Sequence, residues 1–240
     1  MLLTIDIGNT TTSLGLFEDG KLKKKWSEST RSLRVKLPAC RQARSAPSVV
    51  VSSVVPKVDK IIKKRFPKAH FVTAHNIKGI KVKANKSEVG ADRVVNALAA
   101  KELYGTPAIV VDFGTATTFD VVSAKGEYLG GAIAPGIGLS VDILHKATAK
   151  LPKISLKASK KLIGKNTKDA INSGLLYGYV SLVEGMVTRF TAHSSRFTVI
   201  ATGGYAKLIK KYTKSIDIVD PDLTLKGLYF AWDNRPGAKK

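Results

Sequence analysis

Asp6-Ile7-Gly8-Asn9-Thr10-Thr11-Thr12 and Asp112-Phe113-Gly114-Thr115-Ala116-Thr117-Thr118 each carry a carboxylate, a glycine and a run of hydroxyls in nearly the same spacing. Turn amides and threonine hydroxyls can hold phosphate oxygens, and a pair of carboxylates can hold a cation. Each stretch follows a short apolar run, Leu2-Leu3-Thr4-Ile5 or Ala108-Ile109-Val110-Val111. Each also reaches a turn glycine 14 residues after its aspartate, Gly20 in one case and Gly126 in the other. A repeated strand–turn–strand unit predicts two related halves, each presenting one carboxylate and a Gly/Thr turn to a shared cleft. The chemistry indicated is nucleotide-dependent phosphoryl transfer, which asks for positioning and charge neutralisation more than for covalent work.

Three further motifs could contribute. Gly90-Ala91-Asp92-Arg93 sits at the predicted start of a helix. There Asp92 either complements the helix dipole or acts as a general base, and Arg93 either faces water or clamps an anionic substrate bidentately. Thr202-Gly203-Gly204, between a predicted strand and helix, is either a tight turn or a place where a nucleotide base approaches the backbone. Gly164-Lys165-Asn166-Thr167 is a helix cap, built on Asn166 or Thr167, that either only caps or also binds ligand. His70, His75, His145 and His193 show no metal-ligand spacing, and no serine or cysteine has a readable base partner, which argues against nucleophilic hydrolysis.

The elements that must position these groups fall into two lobes, residues 1–105 and 106–240. The first opens with strands Leu2–Ile7, Thr12–Phe17 and Lys21–Trp26, the last two joined by a Glu18-Asp19-Gly20 hairpin turn. Ser27 to Pro47 is polar, basic and without period. A β-branched strand follows at Ser48–Val55, then a helix from Pro56 to about Phe66, a strand at Ala69–Val72 and a helix from Gly90 to Tyr104. Gly105-Thr106-Pro107 breaks the chain between lobes. The second lobe repeats the opening with strands Ala108–Asp112, Thr117–Ser123 and Tyr128–Ala134. A helix from about Leu139 to Ala149, a long helix over Thr167–Thr191 and a strand at Phe197–Ala201 come next. A helix, a short strand at Ile216–Val219 and a last helix from Leu223 to Trp232 complete it. In the long helix Gly174, Gly178, Ser181 and Gly185 form a stripe of small residues. Glycine costs a helix about 1 kcal/mol relative to alanine, so the stripe predicts another backbone close by, within the fold or across a dimer contact.

With 240 residues and 44% hydrophobic content the chain can bury a substantial core. No apolar run is long enough for a membrane span, and the opening Met1–Asp6 meets a charge too soon for a signal peptide. Cys40 is the single cysteine, which excludes a disulfide framework and fits a cytoplasmic protein. Forty Lys+Arg against 18 Asp+Glu give a net charge of +22. The lysines lie in small groups such as Lys23-Lys24-Lys25, Lys63-Lys64-Arg65, Lys160-Lys161, Lys210-Lys211 and Lys239-Lys240. Without a long basic tail or interleaved aromatics, this reads as a solvated basic surface that attracts polyanionic nucleotides rather than as a nucleic-acid site.

The ordered set Asp6-Ile7-Gly8-Asn9-Thr10, Gly90-Ala91-Asp92-Arg93, Asp112 to Asp120, Gly130-Gly131-Ala132-Ile133-Ala134-Pro135-Gly136, Gly164-Lys165-Asn166-Thr167 and Thr202-Gly203-Gly204 resembles the type III pantothenate kinases, from residue 1 to about 232. The resemblance implies an α/β, duplicated actin-like fold of the acetate and sugar kinase superfamily, ribonuclease H-like, in two lobes with mixed sheets. It implies a homodimer that uses ATP to phosphorylate pantothenate to 4′-phosphopantothenate, the first step toward coenzyme A. By similarity Asp6, Ile7, Gly8, Asn9, Thr10, Thr11, Thr12 and Ser13 form the nucleotide phosphate loop. Thr115, Gly203 and Gly204 would also contact ATP, and Asp92 would accept the proton of the pantothenate hydroxyl. Gly90, Ala91, Asp92, Arg93 and Thr167 would line the pantothenate site. Asp112 would hold a monovalent cation, K⁺ or NH₄⁺, and Mg²⁺ would accompany ATP. Lys83 stands where the family usually has a tyrosine, an ammonium that could meet the substrate carboxylate or face water. The chain after Trp26 is also shorter than usual for the family and lacks its acidic helix. The competing reading is a non-catalytic regulator of the same fold using its basic surface on nucleic acid. Another sugar or acid kinase of the superfamily is disfavoured by the Gly-Ala-Asp-Arg and Gly-Lys-Asn-Thr pair.

Overall fold

The structure, a computed structural model, describes residues 1–32, 48–192 and 196–235. Most of the aperiodic Ser27–Pro47 stretch, with Cys40, lies outside the described residues, as do His193, Lys239 and Lys240. The described chain divides into two compact units. The first holds residues 1–105, 122–130 and the chain from Asp222 onward; the second holds 106–121 and 131–221. One break between the units falls at 105/106. A single cut does not describe the rest, because 122–130 and the last helix cluster with the first unit.

In the first unit the strands β1 (Leu2–Ile7), β2 (Thr11–Glu18), β3 (Lys21–Ser29), β4 (Ser48–Ser53) and β5 (His70–Phe71) form a sheet in the order β3-β2-β1-β4-β5. β1 runs antiparallel to β2 and parallel to β4. A central strand flanked on both faces must be apolar on both, which is why Leu2-Leu3-Thr4-Ile5 does not alternate. Its one buried hydroxyl is satisfied: Thr4 Oγ1 donates to the Gly15 carbonyl at 3.1 Å. Leu3, Ile5, Ile7, Leu14, Val49 and Val51 pack on Val58 and Ile62 of helix α1 (Pro56–Arg65). Each such side chain contributes about 1.5–3 kcal/mol by leaving water. Helix α2 (Ala91–Tyr104) packs closely with the terminal helix, where a Cβ on Gly227 would lie 2.1 Å from the Val95 carbonyl. A two-residue strand, β6 (Lys81–Val82), was not foreseen; it pairs with Glu127 and Tyr128.

The second sheet is built from β7 (Ala108–Phe113), β8 (Ala116–Val122), β9 (Glu127–Pro135), β10 (Thr198–Gly203) and β11 (Ile218–Val219). Its order, β11-β10-β7-β8-β9, is followed by β6 at the β9 edge. Read from β9, this is β9-β8-β7-β10-β11, the same order as β3-β2-β1-β4-β5, with the fourth strand again parallel to the first. The duplication expected from two Asp-x-Gly motifs is thus a duplication of topology. The hairpin glycines correspond too: Gly20 has φ +76° and Gly126 φ +71°, left-handed values that glycine adopts without strain. The core of the second unit packs Ile109, Val111, Phe113, Phe119 and Val199 against Leu176, Val180 and Val183 of helix α4 (Thr167–Thr191). Helices α3 (Ile137–Lys146) and α5 (Ala206–Lys210) complete the second unit, and α6 (Leu223–Asp233) ends the chain.

Two expectations change. α3 starts at Ile137 and stops at Lys146, displaced toward the N-terminus from the expected Leu139–Ala149, because Gly136 in extended conformation serves as its N-cap. In α4 a Cβ added at Gly174, Gly178 or Gly185 would find nothing within 4 Å. Among the described residues no backbone of the same chain therefore approaches these three glycines.

Candidate active site

In the first unit Asp6 is the penultimate residue of β1, opposite Ser13 on β2 and Ser52 on β4. Ser52, fully buried, donates its hydroxyl to Asp6 Oδ1 at 2.5 Å. The turn that follows is closed by Gly8 N donating to the Thr11 carbonyl at 3.0 Å, and Asn9, Thr10 and Thr11 are exposed at its tip. Asp92 lies in the first turn of α2, where its Oδ1 accepts from the Arg93 amide at 2.9 Å. Its carboxylate folds back over Gly90, where a Cβ would stand 2.4 Å from Asp92 Oδ1. Glycine at that position leaves the carboxylate room.

Electrostatics tie the two aspartates together. Burial pushes the Asp6 carboxyl up to about 7, the Ser52 hydrogen bond works against this, and the neighbouring Asp92 charge adds to it. Burial likewise raises Asp92, opposed by the Arg93 amide and guanidinium. A buried carboxylate held above its ordinary range is a competent proton acceptor near neutral pH.

In the second unit Asp112 lies near the end of β7, in register with Thr202 of β10, and Phe113 with Gly203. Gly203 (φ +85°) passes so close that a Cβ there would lie 2.6 Å from Asp112 Oδ1. Gly204 N donates to the Phe113 carbonyl at 3.2 Å. On the other flank Gly136 N donates to the Thr115 carbonyl at 3.1 Å, and no side chain would fit at Gly136. Tyr179 fixes that flank by donating to the Pro135 carbonyl at 2.7 Å, with its oxygen 2.8 Å from Ser140 Oγ. Thr117 Oγ1 is buried without a hydrogen-bond partner. Asn166 caps α4 by accepting from the Asp169 amide at 2.9 Å, and Gly164 packs on the first turn. With Lys165, Thr167, Leu144 and Leu175 they line an open groove of about 580 Å³.

The structure thus joins Asp6, the Gly8–Thr11 turn and Asp92 in one unit, and Asp112, Thr115, Gly203 and Gly204 in the other. The Lys83 ammonium pairs with Glu127 at 3.6 Å, as that of Lys81 does at 3.3 Å. Ser52 and Thr30, which hold the first turn, were not identified from sequence. Among the described residues no group of three or more His, Cys, Asp or Glu could hold a metal ion.

A duplicated strand order with an Asp-x-Gly turn in each copy defines the actin-like α/β class of fold. Solved structures agree on the fold. A Campylobacter jejuni protein named as a candidate Baf family transcriptional activator superposes with TM-score 0.65 at 20% identity, covering 95% of this chain and 96% of that one. A Listeria monocytogenes candidate N-acetylmannosamine kinase gives 0.54 at 13% identity, covering 96% and 98%. The family model described as type III pantothenate kinase matches residues 2–189. Two curated relatives named type III pantothenate kinase are 44% and 43% identical: that of Halalkalibacterium halodurans (95% of this chain, 97% of the relative) and that of Bacillus cytotoxicus (97% and 96%). The chain belongs to the type III pantothenate kinase family.

Proposed function

We propose that this chain transfers the γ-phosphoryl group of ATP to the primary hydroxyl of pantothenate, with Asp92 as proton acceptor. Membership of the family and the curated relatives support the reaction. The single observation that carries the role of Asp92 is its buried, raised carboxylate folded over Gly90 beside Asp6. The exposed Gly8–Thr11 turn offers amides and hydroxyls to the ATP phosphates, and Asp6 to Ser13 form that loop. Two repelling buried carboxylates suit a site where a cation arrives, so the residues present fit ATP with Mg²⁺. That ion supplies neutralisation of phosphate charge. Asp92 takes the hydroxyl proton as the oxygen attacks phosphorus, and in this reading Arg93 binds the pantothenate carboxylate, with Gly90, Ala91 and Thr167 as further substrate contacts. Asp112 supplies an oxygen ligand for K⁺ or NH₄⁺, while Thr115, Gly203 and Gly204 face the nucleotide. Lys83, engaged with Glu127, contributes charge near the substrate only if that pair opens.

The protein acts as a cytoplasmic homodimer in this reading. The Gly174–Gly178 face of α4 is exposed and open, and Leu139 and Ile143 of α3, which packs on α4, are exposed as well. No helix among the described residues is long and apolar enough to cross a membrane. The test is ADP release with ATP, pantothenate, Mg²⁺ and either monovalent ion, beside Asp92→Asn. Removing a general base is expected to lower kcat about 10²–10⁴-fold. Full turnover by Asp92→Asn would refute the assignment.

A further inference from the structure

We infer that Thr30 is a positioning residue for the phosphate turn, an inference that rests on the reading of residues 6–13 as the nucleotide loop. Thr30 follows β3, is buried, and opens a single 3₁₀ turn over Thr30–Ser32. Three contacts converge on it. Its Oγ1 donates to the Gly8 carbonyl at 2.7 Å, its amide donates to the Thr10 carbonyl at 3.0 Å, and its Oγ1 lies 3.0 Å from Thr12 Oγ1. A hydroxyl has one proton; since that of Thr30 goes to Gly8, Thr12 is the donor in the threonine pair.

These bonds set the orientation of two peptide planes. In a trans peptide the carbonyl of one residue and the amide N–H of the next point in opposite directions. Drawing the Gly8 and Thr10 carbonyls toward Thr30 therefore turns the Asn9 and Thr11 N–H groups away from it. Both residues are exposed at the tip of the turn, so these donors lie on the side of the loop away from Thr30 before any phosphate arrives. Donors preset in this way do not have to reorganise on binding. Ser52 holds the Asp6 end of the same loop from the β4 side, and Thr30 holds its amides from the β3 side.

The test is steady-state kinetics on Thr30→Val and Thr30→Ser, with hydrogen exchange of the wild type with and without a non-hydrolysable ATP analogue. Valine keeps the shape and the amide bond to Thr10 but loses both hydroxyl contacts. Thr30→Val is expected to raise KM for ATP about tenfold while KM for pantothenate stays within about twofold, and Thr30→Ser is expected to restore wild-type values within about twofold. An unchanged KM for ATP in folded Thr30→Val, or an equal rise in both KM values, would overturn the inference. If Thr30→Val does not fold, Thr12→Val severs one of the two hydroxyl contacts and is expected to raise KM for ATP about threefold; no rise overturns the inference. The analogue should slow exchange at Asn9 and Thr11 in the wild type. Slowed exchange without a kinetic effect in the variants refutes the role of Thr30 alone. Unslowed exchange refutes the phosphate-turn reading and Thr30 with it.

Discussion

Replacing Asp6 with asparagine should stabilise the nucleotide-free protein at pH 8 and do almost nothing near pH 4. The Asp6 carboxyl is half-buried, and burial and the charge of Asp92 push it up to about 7 from 3.8 against the opposing hydrogen bond from Ser52. A carboxyl that binds its proton more tightly when folded adds no penalty below its unfolded value. As pH rises from about 4 through about 7, the folded state is stripped of a proton it holds and stability falls. At 1.36 kcal/mol per pH unit, the interval corresponds to about 4 kcal/mol once pH exceeds 7. Asparagine keeps an oxygen for the Ser52 hydroxyl and never ionises, so the variant avoids the loss. Urea unfolding of both proteins at pH 4 and pH 8 at constant ionic strength reads the difference, and the large positive charge cancels between them. The expected result is near equality at pH 4 and an advantage of about 4 kcal/mol for Asp6→Asn at pH 8, with its kinase activity lost. An advantage equal at both pH values, or a variant less stable at pH 8, would show that Asp6 ionises freely and that burial does not govern it.

Gly203→Ala should lower stability by about 2 kcal/mol or more, because it puts a Cβ at positive φ against Asp112 and the Phe113 backbone. Gly204→Ala, with nothing within 4 Å, should cost less than about 0.5 kcal/mol, and urea midpoints of the pair separate the two. Gly178→Arg should leave the fold intact, since the added side chain meets open space, yet convert a dimer to monomer in sedimentation analysis. A dimer that survives Gly178→Arg would place the interface elsewhere.

The strands were legible where apolar runs ended at turn glycines, and the duplication was legible because both Asp-x-Gly motifs reach Gly20 and Gly126 at one offset. The recurring order β3-β2-β1-β4-β5 was not, because it depends on parallel pairing between distant segments such as Leu2–Ile7 with Ser48–Ser53. β6 is too short to leave a pattern, and it exists through its pairing with Glu127 and Tyr128. Ser52 did leave a trace: a hydroxyl at the end of Val49-Val50-Val51 in a buried strand needs a partner, and the register supplies Asp6. Thr30 left none. Its segment was read as aperiodic beyond Trp26, whereas β3 continues to Ser29 because Thr11, Thr12 and Ser13 of β2 pair with it.

Asp6, Ser52 and Asp92 together form an arrangement that folding alone does not favour. A core strand with Ile5 and Ile7 at 0% exposure could carry an apolar residue between them at lower free-energy cost than a carboxylate near another carboxylate. The repulsion is retained where β1, β4 and the start of α2 meet. The surrounding core, with Val49, Val50 and Val51 almost fully buried, holds both charges in place. Local rules are broken in this way where a protein waits for a ligand. A positively charged species entering beside Asp6 and Asp92 relieves both burial and repulsion. The free energy that destabilises the empty protein above pH 7 is therefore recovered on loading, and the ligand-induced rise in stability should be larger at pH 8 than at pH 6.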